Sequence, residues 1–416
     1  MIRVSTSMIF NAGVNAINTQ TASLLHLQQQ IASGRRILTP ADDPVGAARA
    51  LEVTQAKDVT AQYSTNHDNA KTLLGLEEVQ LTSAIDLMVR LKELTVQAGN
   101  GTLSDDNRRG IAVELRARFD ALLGIANATD GSGQYMFAGY MGATPPFAGT
   151  VAGGVSYSGD DGQRRLQVAP TRFLEVGDSG NDVFNRIRNG NGTFATTYGT
   201  NNVTPGPNLG TGVINGGAVT NPAAWVAPSS GSYTIRFSGA PSATSYQIYD
   251  GITDLTGAMP FTAGQAIALP PLASSGAHVV VTGAPSDGDS FVVSPSSSQS
   301  VFASLANLIT TLEAGTATAA DRARYNTNLG SAMINLDQAT DNFLRVRAAI
   351  GSRLNEVDSL SDMNQELQLQ YAQTLSTLQD LDFVKGISDL TRKQTGLEAA
   401  QQSFVRVSQL SLFNYL

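Results

Sequence analysis

Any catalysis or metal binding by this chain would have to come from few residues. It has three histidines, His26, His67 and His278, and no cysteine. His26 lies among Gln and Leu, His67 in a polar stretch with helical spacing, and His278 at the start of a β-rich run. Imidazole holds zinc in company with other His, Asp or Glu ligands, and no such cluster flanks any of the three. Structural or surface roles are expected for them, and no metal. Adjacent carboxylates occur at Asp42-Asp43, Asp105-Asp106 and Asp160-Asp161. Paired acids can do proton transfer inside a cleft. Two of these pairs open helical stretches and the third lies in a turn, so capping is their expected task. Asp287-Gly-Asp289 begins like a calcium loop but lacks its further acids. Gly210-Thr-Gly212 is not followed by a helix and a lysine, so it is not a phosphate loop. Trp225 with Tyr246 and Tyr249 could present a sugar-stacking face, and core packing is the plainer reading. Asn-X-Thr occurs at Asn100, Asn127, Asn191 and Asn202, as a Gly/Asn/Thr-rich chain produces unaided. No nucleophile, base and orienting group can be assembled, so neither an enzyme nor a cofactor is expected.

The composition agrees. The chain has 416 residues, 27 Lys+Arg against 35 Asp+Glu, and a net charge of −8. Charged residues make up 15%, against about 25% in an average globular protein. A nucleic-acid binder would carry a basic face. No apolar run approaches the ~18 residues of a membrane span. The N-terminus lacks the basic start and apolar core of a cleavable secretory peptide.

What the chain does have is helix. From Val14 through Ile17, Thr21, Leu24, Gln28 and Ile31 the spacing steps by three and four, a narrow seam that Gly34 ends. Asp43 and Pro44 then start a second helix, which Gly99-Asn100-Gly101 breaks. Ser104 caps a third, with Asp105 and Asp106 at its positive end. Near the C-terminus a short helix runs from Val301 toward Gly315. A long periodic run from Ser331 to Lys385 follows, about 55 residues with one glycine and no proline. Such a length suits a coiled coil or elongated bundle. Between these zones the chain changes character. From Asn189 to Ser300 there is one Arg, four Asp, and no Lys or Glu. Short β-rich runs at 233–237, 245–249, 277–282 and 290–294 alternate with turns, which suggests a β-sandwich or barrel. The stretch SYSGDDGQRRLQVAP reads as a hairpin around Asp161-Gly162. The expected fold is α+β and multidomain: long N- and C-terminal helices in a bundle or coiled coil, with an inserted all-β, sandwich-like domain.

Two segments are uncharged: Val4 to Gly34, and the last ten residues, VSQLSLFNYL. They are too polar to fold alone and too apolar for plain tails, so they read as segments that order on meeting partners.

Three stretches resemble the flagellin family. IASGRRILTPADDPVGAARALEVTQA is similar to its N-terminus, MVRLKELTVQAGNGTLSDDNRRGIAVELRARFDALLGIAN to its core helices, and DLDFVKGISDLTRKQTGLEAAQQSF to its C-terminal end. Pro44 after Asp42-Asp43, and GQYMFAGYMGATPPFAG followed by YSGDDGQRRLQVAP, resemble the hook-associated protein 3 (FlgL-type) branch more than flagellin. The resemblance implies a structural component of the bacterial flagellum at the hook–filament junction. It implies as partners hook-associated protein 1, flagellin, copies of the chain itself in a helical ring, and a cytoplasmic chaperone on the C-terminal helices. It also implies unfolded export through the flagellar type III apparatus, and an extracellular place. Three regions are implied: 1–45 with 375–416 as the inner assembly domain, 46–184 with 300–374 as a helical domain with a β-hairpin region, and 185–299 as the exposed β domain. The expected assembly residues are Val14, Ile17, Leu24, Leu27 and Ile31, packing against Leu375, Leu378, Phe404, Val405 and Leu410. The neighbouring readings are a flagellin filament subunit and, in another class, a secreted carbohydrate-binding or adhesive protein.

Overall fold

The computed structural model describes residues 6–240, 242–270 and 276–409. Six α-helices are described: α1 (Thr6–Ser33), α2 (Pro44–Ala98), α3 (Asp105–Ala126), α4 (Val301–Glu313), α5 (Ala319–Gln379) and α6 (Phe383–Gln409). The chain divides into two compact units, 1–67 with 359–416, and 68–358. Both boundaries fall inside helices, α2 and α5.

Helix ends follow the local chemistry. Gly34 takes a left-handed φ of 70°, which suits the residue just past a helix. Asp43 caps α2 by accepting the Gly46 N–H at 2.9 Å. Ser104 caps α3 by accepting the Asn107 N–H at 3.2 Å. The long C-terminal run is not one helix to Lys385, as the missing proline and sparse glycine suggest. It starts early, at Ala319, and stops at Gln379. There the chain turns to pair with the link after α1: Arg36 N–H donates to the Gln379 carbonyl at 2.7 Å and Leu381 N–H to the Gly34 carbonyl at 2.9 Å, and Asp382 accepts the Lys385 N–H to start α6 afresh. Short acidic side chains favour such caps over helix interiors.

In the 68–358 unit, α3 packs along α4. A chain of rings fills the space around them: Phe119–Phe302 at 5.6 Å, Phe147–Phe302 at 5.4 Å, Phe147–Phe184 at 5.4 Å and Phe184–Phe343 at 5.5 Å. All five are fully buried, each stabilising by roughly 1.5–3 kcal/mol.

The β region of the same unit has a six-stranded antiparallel sheet. Its order is Thr253–Asp254, Ser245–Asp250, Tyr233–Ser238, Ser290–Pro295, Phe194–Tyr198, with Met259–Pro260 pairing beside Ser245–Asp250. A three-stranded sheet follows the order Ala266–Ala268, His278–Thr282, Val213–Ile214. Ile235, Phe237, Ile248 and Phe291 of the first and Ile267, Val279 and Val281 of the second bury into one core. That is a sandwich, and alternation of buried and half-buried residues along Tyr233–Ser238 gives its pleat.

The hairpin expected around Asp161-Gly162 does not form. Phe147–Thr150 pairs with Gly154–Tyr157, and Arg165–Ala169 pairs with Arg172–Glu175. Between them Asp160 uses one carboxylate oxygen to accept the Tyr140 and Gly162 N–H groups, at 3.0 and 2.7 Å. That contact ties the turn back to residue 140 and keeps the two flanking strands apart.

Candidate assembly interface

The unit of residues 1–67 and 359–416 is built on α1 lying antiparallel to α6. The register is fixed by close approaches at small residues. A Cβ on Gly13 would stand 2.6 Å from the Phe404 ring and one on Gly396 3.1 Å from Gln20 Nε2, while one on Gly386 would make ordinary contact with Ile31 Cγ1 at 3.5 Å. Lys393 Nζ reaches Ser23 O at 3.5 Å. Residue numbers in each pair sum to about 416 or 417, as an antiparallel helix pair of constant register requires. Phe10 and Phe404 add a ring contact at 5.1 Å.

The connection after α1 is held by side-chain and backbone contacts. His26 Nε2 meets Asp42 Oδ1 at 3.0 Å and Arg36 Nη1 meets Asp43 Oδ2 at 3.2 Å. The Thr39 and Leu38 N–H groups hold the Asp42 carboxyl below the usual range, and the Gly46 N–H does the same for Asp43. Arg36 donates to the Leu378 carbonyl at 2.7 Å, and Leu381 N–H to the Gly34 carbonyl at 2.9 Å. Lower in the unit, the Asn364 carboxamide donates to the Thr60 carbonyl at 2.9 Å, joining α5 to α2.

The expected assembly residues are distributed as follows. Val14, Ile17, Leu24 and Ile31 are half-buried on α1, and Leu27 is buried. Phe404 on α6 meets α1 through Gly13 and Phe10, whereas Val405 is exposed. Leu375 and Leu378 are half-buried near the end of α5, where Leu378 meets the 34–36 connection; α1 takes α6 as its main helical partner. Leu410 lies outside the described residues. Sequence reasoning missed Phe10, Phe383, Val384 and Ile387, all exposed, and the glycines that let α1 and α6 approach. Glycines at 13, 386 and 396 inside helical spacing were the available signal, since mid-helix glycine costs about 1 kcal/mol unless packing needs it.

The other candidates are accounted for by structure. Asp105 pairs with Arg108, which also reaches Thr316, and Arg108 holds the Asp105 carboxyl low. Asp289 is buried and accepts N–H groups from Leu209, Gly210, Ser286 and Asn201. That is a backbone clamp, and its oxygens are saturated. Trp225 packs on Phe194 at 5.8 Å, and the Arg236 guanidinium covers Tyr249 at 4.3 Å. His278 Nδ1 contacts Gly276 O at 3.1 Å, and His67 is buried in α2. No group of three His, Cys, Asp or Glu that could hold a metal occurs among the described residues. No helix among them is long and apolar enough to cross a membrane.

One ionic cluster was not foreseen. Glu77 on α2 is 2% exposed, and burial, reinforced by Asp178, pushes its carboxyl up to about 8. It accepts the Asp178 N–H at 3.1 Å, while Arg353 on α5 grips both Asp178 oxygens at 2.9 Å.

Comparison with known proteins agrees with this architecture. Residues 4–141 match the family of the bacterial flagellin N-terminal helical region. The flagellar hook-associated protein 3 of Escherichia coli (strain K12) is 27% identical over 99% of both chains. The FlgL crystal structure from Xanthomonas campestris is 31% identical, covering 78% of this chain and 99% of that one, with TM-score 0.68. The flagellar junction protein FlgL from Legionella pneumophila is 30% identical, covering 80% and 100%, with TM-score 0.69. On these likenesses, the chain belongs to the hook-associated protein 3 (FlgL) family, structural components of the bacterial flagellum within the flagellin group.

Proposed function

We propose that the chain is the hook–filament junction subunit, joining hook-associated protein 1 to flagellin as a helical ring of its own copies. The role is mechanical and not catalytic. One observation carries the reading. In the unit of residues 1–67 and 359–416, Leu27 and Ala50 are the buried apolar side chains among the described residues. Meanwhile Leu25, Val45, Leu51, Met363, Leu369, Phe383, Val384 and Ile387 stand exposed along its helices. Helices are stabilised mainly by burying an apolar stripe. A unit that leaves its stripe in water needs neighbours, and an axial head-to-tail ring supplies a different one on each face.

In this reading 1–45 and 375–416 form the inner assembly segment, with Val14, Ile17, Leu24, Leu27, Ile31, Leu375, Leu378, Phe404, Val405 and Leu410 at or behind its contacts. Residues 46–184 with 300–374 lie outside it, and the 185–299 β domain is exposed. Before assembly, a cytoplasmic export chaperone covers the C-terminal helices, and the chain leaves unfolded through the flagellar type III apparatus. A chain free of cysteine suits such threading.

Immunogold labelling of isolated flagella tests the place. Label confined to the hook–filament boundary is expected, and label along the filament would replace this reading with a flagellin subunit. Deletion should leave flagellin lost to the medium while hooks persist.

A further inference from the structure

Asn-Gly occurs four times, at Asn100, Asn189, Asn191 and Asn215. Glycine carries no side chain to shield its amide nitrogen, so that nitrogen can close on the preceding side-chain carbonyl. Three of the four sites are locked. The Asn189 carboxamide donates to Ser297 Oγ at 3.3 Å and accepts the Ser297 N–H at 2.9 Å, and the Gly190 N–H is engaged by Asn335 at 2.9 Å. Asn191 donates to the Gly216 carbonyl at 3.1 Å and accepts the Thr193 and Phe194 N–H groups. Asn215 Oδ1 accepts the Gly217 and Val280 N–H groups at 3.1 and 2.8 Å.

Asn100 differs. It lies with Gly101 in the link between α2 and α3, and both are exposed. Its Oδ1 accepts the Thr102 N–H at 3.1 Å and the Thr102 hydroxyl at 2.9 Å, both local contacts. No hydrogen bond among the described residues engages the Gly101 N–H. Apart from its chain neighbours, a Cβ built on Gly101 would meet nothing within 4 Å, so no distant part of the fold packs on that side of the link.

We propose that Asn100 is a site of spontaneous deamidation, through attack of the Gly101 nitrogen on the Asn100 carboxamide. The Gly101 nitrogen gives its proton to solvent and bonds to Asn100 Cγ. The Cγ–Nδ2 bond breaks, and Nδ2 takes up a proton and leaves as ammonia. Water then opens the five-membered imide at either carbonyl, leaving Asp or isoaspartate at position 100. One water is consumed, one ammonia is released, and no electrons change hands. The two Thr102 donors polarise the Cγ carbonyl under attack, as donors do for a developing oxyanion. They then hold the new carboxylate with charge-assisted bonds. The isoaspartyl form lengthens the backbone just ahead of Ser104, the α3 cap.

The test is incubation of the folded full chain in mildly alkaline buffer, with peptide mass spectrometry at all four sites. Conversion at Asn100 is expected at least about tenfold faster than at Asn189, Asn191 or Asn215. In denaturant the four rates should converge. Gly101→Ala should slow position 100 by about tenfold or more with unchanged circular dichroism. Thr102→Val should slow it less. Folded-state rates that are equal at the four sites would overturn the proposal, as would a denatured chain in which Asn100 still leads, or a Gly101→Ala chain that reacts as fast. An unchanged rate in Thr102→Val would remove the polarising role of Thr102.

Discussion

The ring of Phe404 on α6 lies against the Cα of Gly13 on α1, so close that a Cβ there would stand 2.6 Å from it. The pair closes one end of the α1–α6 packing, and its tolerance is set by one missing methyl group.

Gly13→Val is therefore expected to push the Phe404 ring off α1 and open that end of the pair. Overpacking of this kind costs about 1–3 kcal/mol. Amide hydrogen exchange should rise in both α1 and α6 and stay unchanged in the 68–358 unit. Protection in both helices unchanged from the wild type would mean that the Gly13 contact does not hold them.

Val384 is 83% exposed at the start of α6. Val384→Asp should leave the monomer's melting temperature unchanged, because a carboxylate near a helix N-terminus is favourable and exposed substitutions rarely move stability beyond about 0.5 kcal/mol. If this face meets a neighbouring subunit, motility should be lost and flagellin should accumulate in the medium. Normal swimming by a strain carrying Val384→Asp with Ile387→Asp would remove the face from the assembly surface.

Much of this was legible beforehand where local chemistry decides. Asp43 and Ser104 mark helix starts by side-chain capping of nearby N–H groups, Gly34 marks an end by its left-handed φ, and the strands at Tyr233–Ser238 and Ser290–Pro295 announce themselves by alternation and turns. The failures share a cause. The hairpin at Asp161-Gly162 was overridden by Asp160 bonding to Tyr140, a contact twenty residues away. The end of α5 at Gln379 is set by backbone pairing with residues 34–36, and the start of α6 by the Asp382 cap, neither of which periodicity sees. For the interface, the apolar seam on α1 was readable, but its register against α6 depends on where glycines face rings and side chains. That is a pairwise fact, and it does not follow from either helix alone.

Arg353 is the cation that both Asp178 oxygens grip inside the 68–358 unit. Arg353→Ala leaves Asp178 beside Glu77 with its bidentate partner gone. Asp178 is buried and Arg353 half-buried, so losing the cation costs less than the ~3–5 kcal/mol of a fully buried pair. The melting temperature should fall by several degrees, and adding Asp178→Asn should recover part of the loss. A melt unaltered by Arg353→Ala would show that solvent already screens the cluster.

Glu77 gives the pH dependence a definite sign. Its folded carboxyl titrates at about 8, against 4.5 for the free group. Burial raises it, and Asp178 adds to the rise, while the Asp178 N–H, Arg353 and Arg164 oppose it. Between those two values the folded chain holds a proton that the unfolded chain has released. Stability from this group is therefore present in full below about 4.5, falls as pH rises, and is spent above about 8. Other carboxyls, such as Asp42 and Asp105, are held low and act in the opposite sense at acid pH. The informative quantity is thus the difference between the wild type and Glu77→Gln. The amide still offers an oxygen to the Asp178 N–H but does not ionise. Melting curves from acid to mildly alkaline pH should show the variant gaining on the wild type as pH rises, with the gap levelling off above about 8. Parallel curves across that range would mean that Glu77 ionises as easily folded as unfolded, and that its burial beside Asp178 carries no proton.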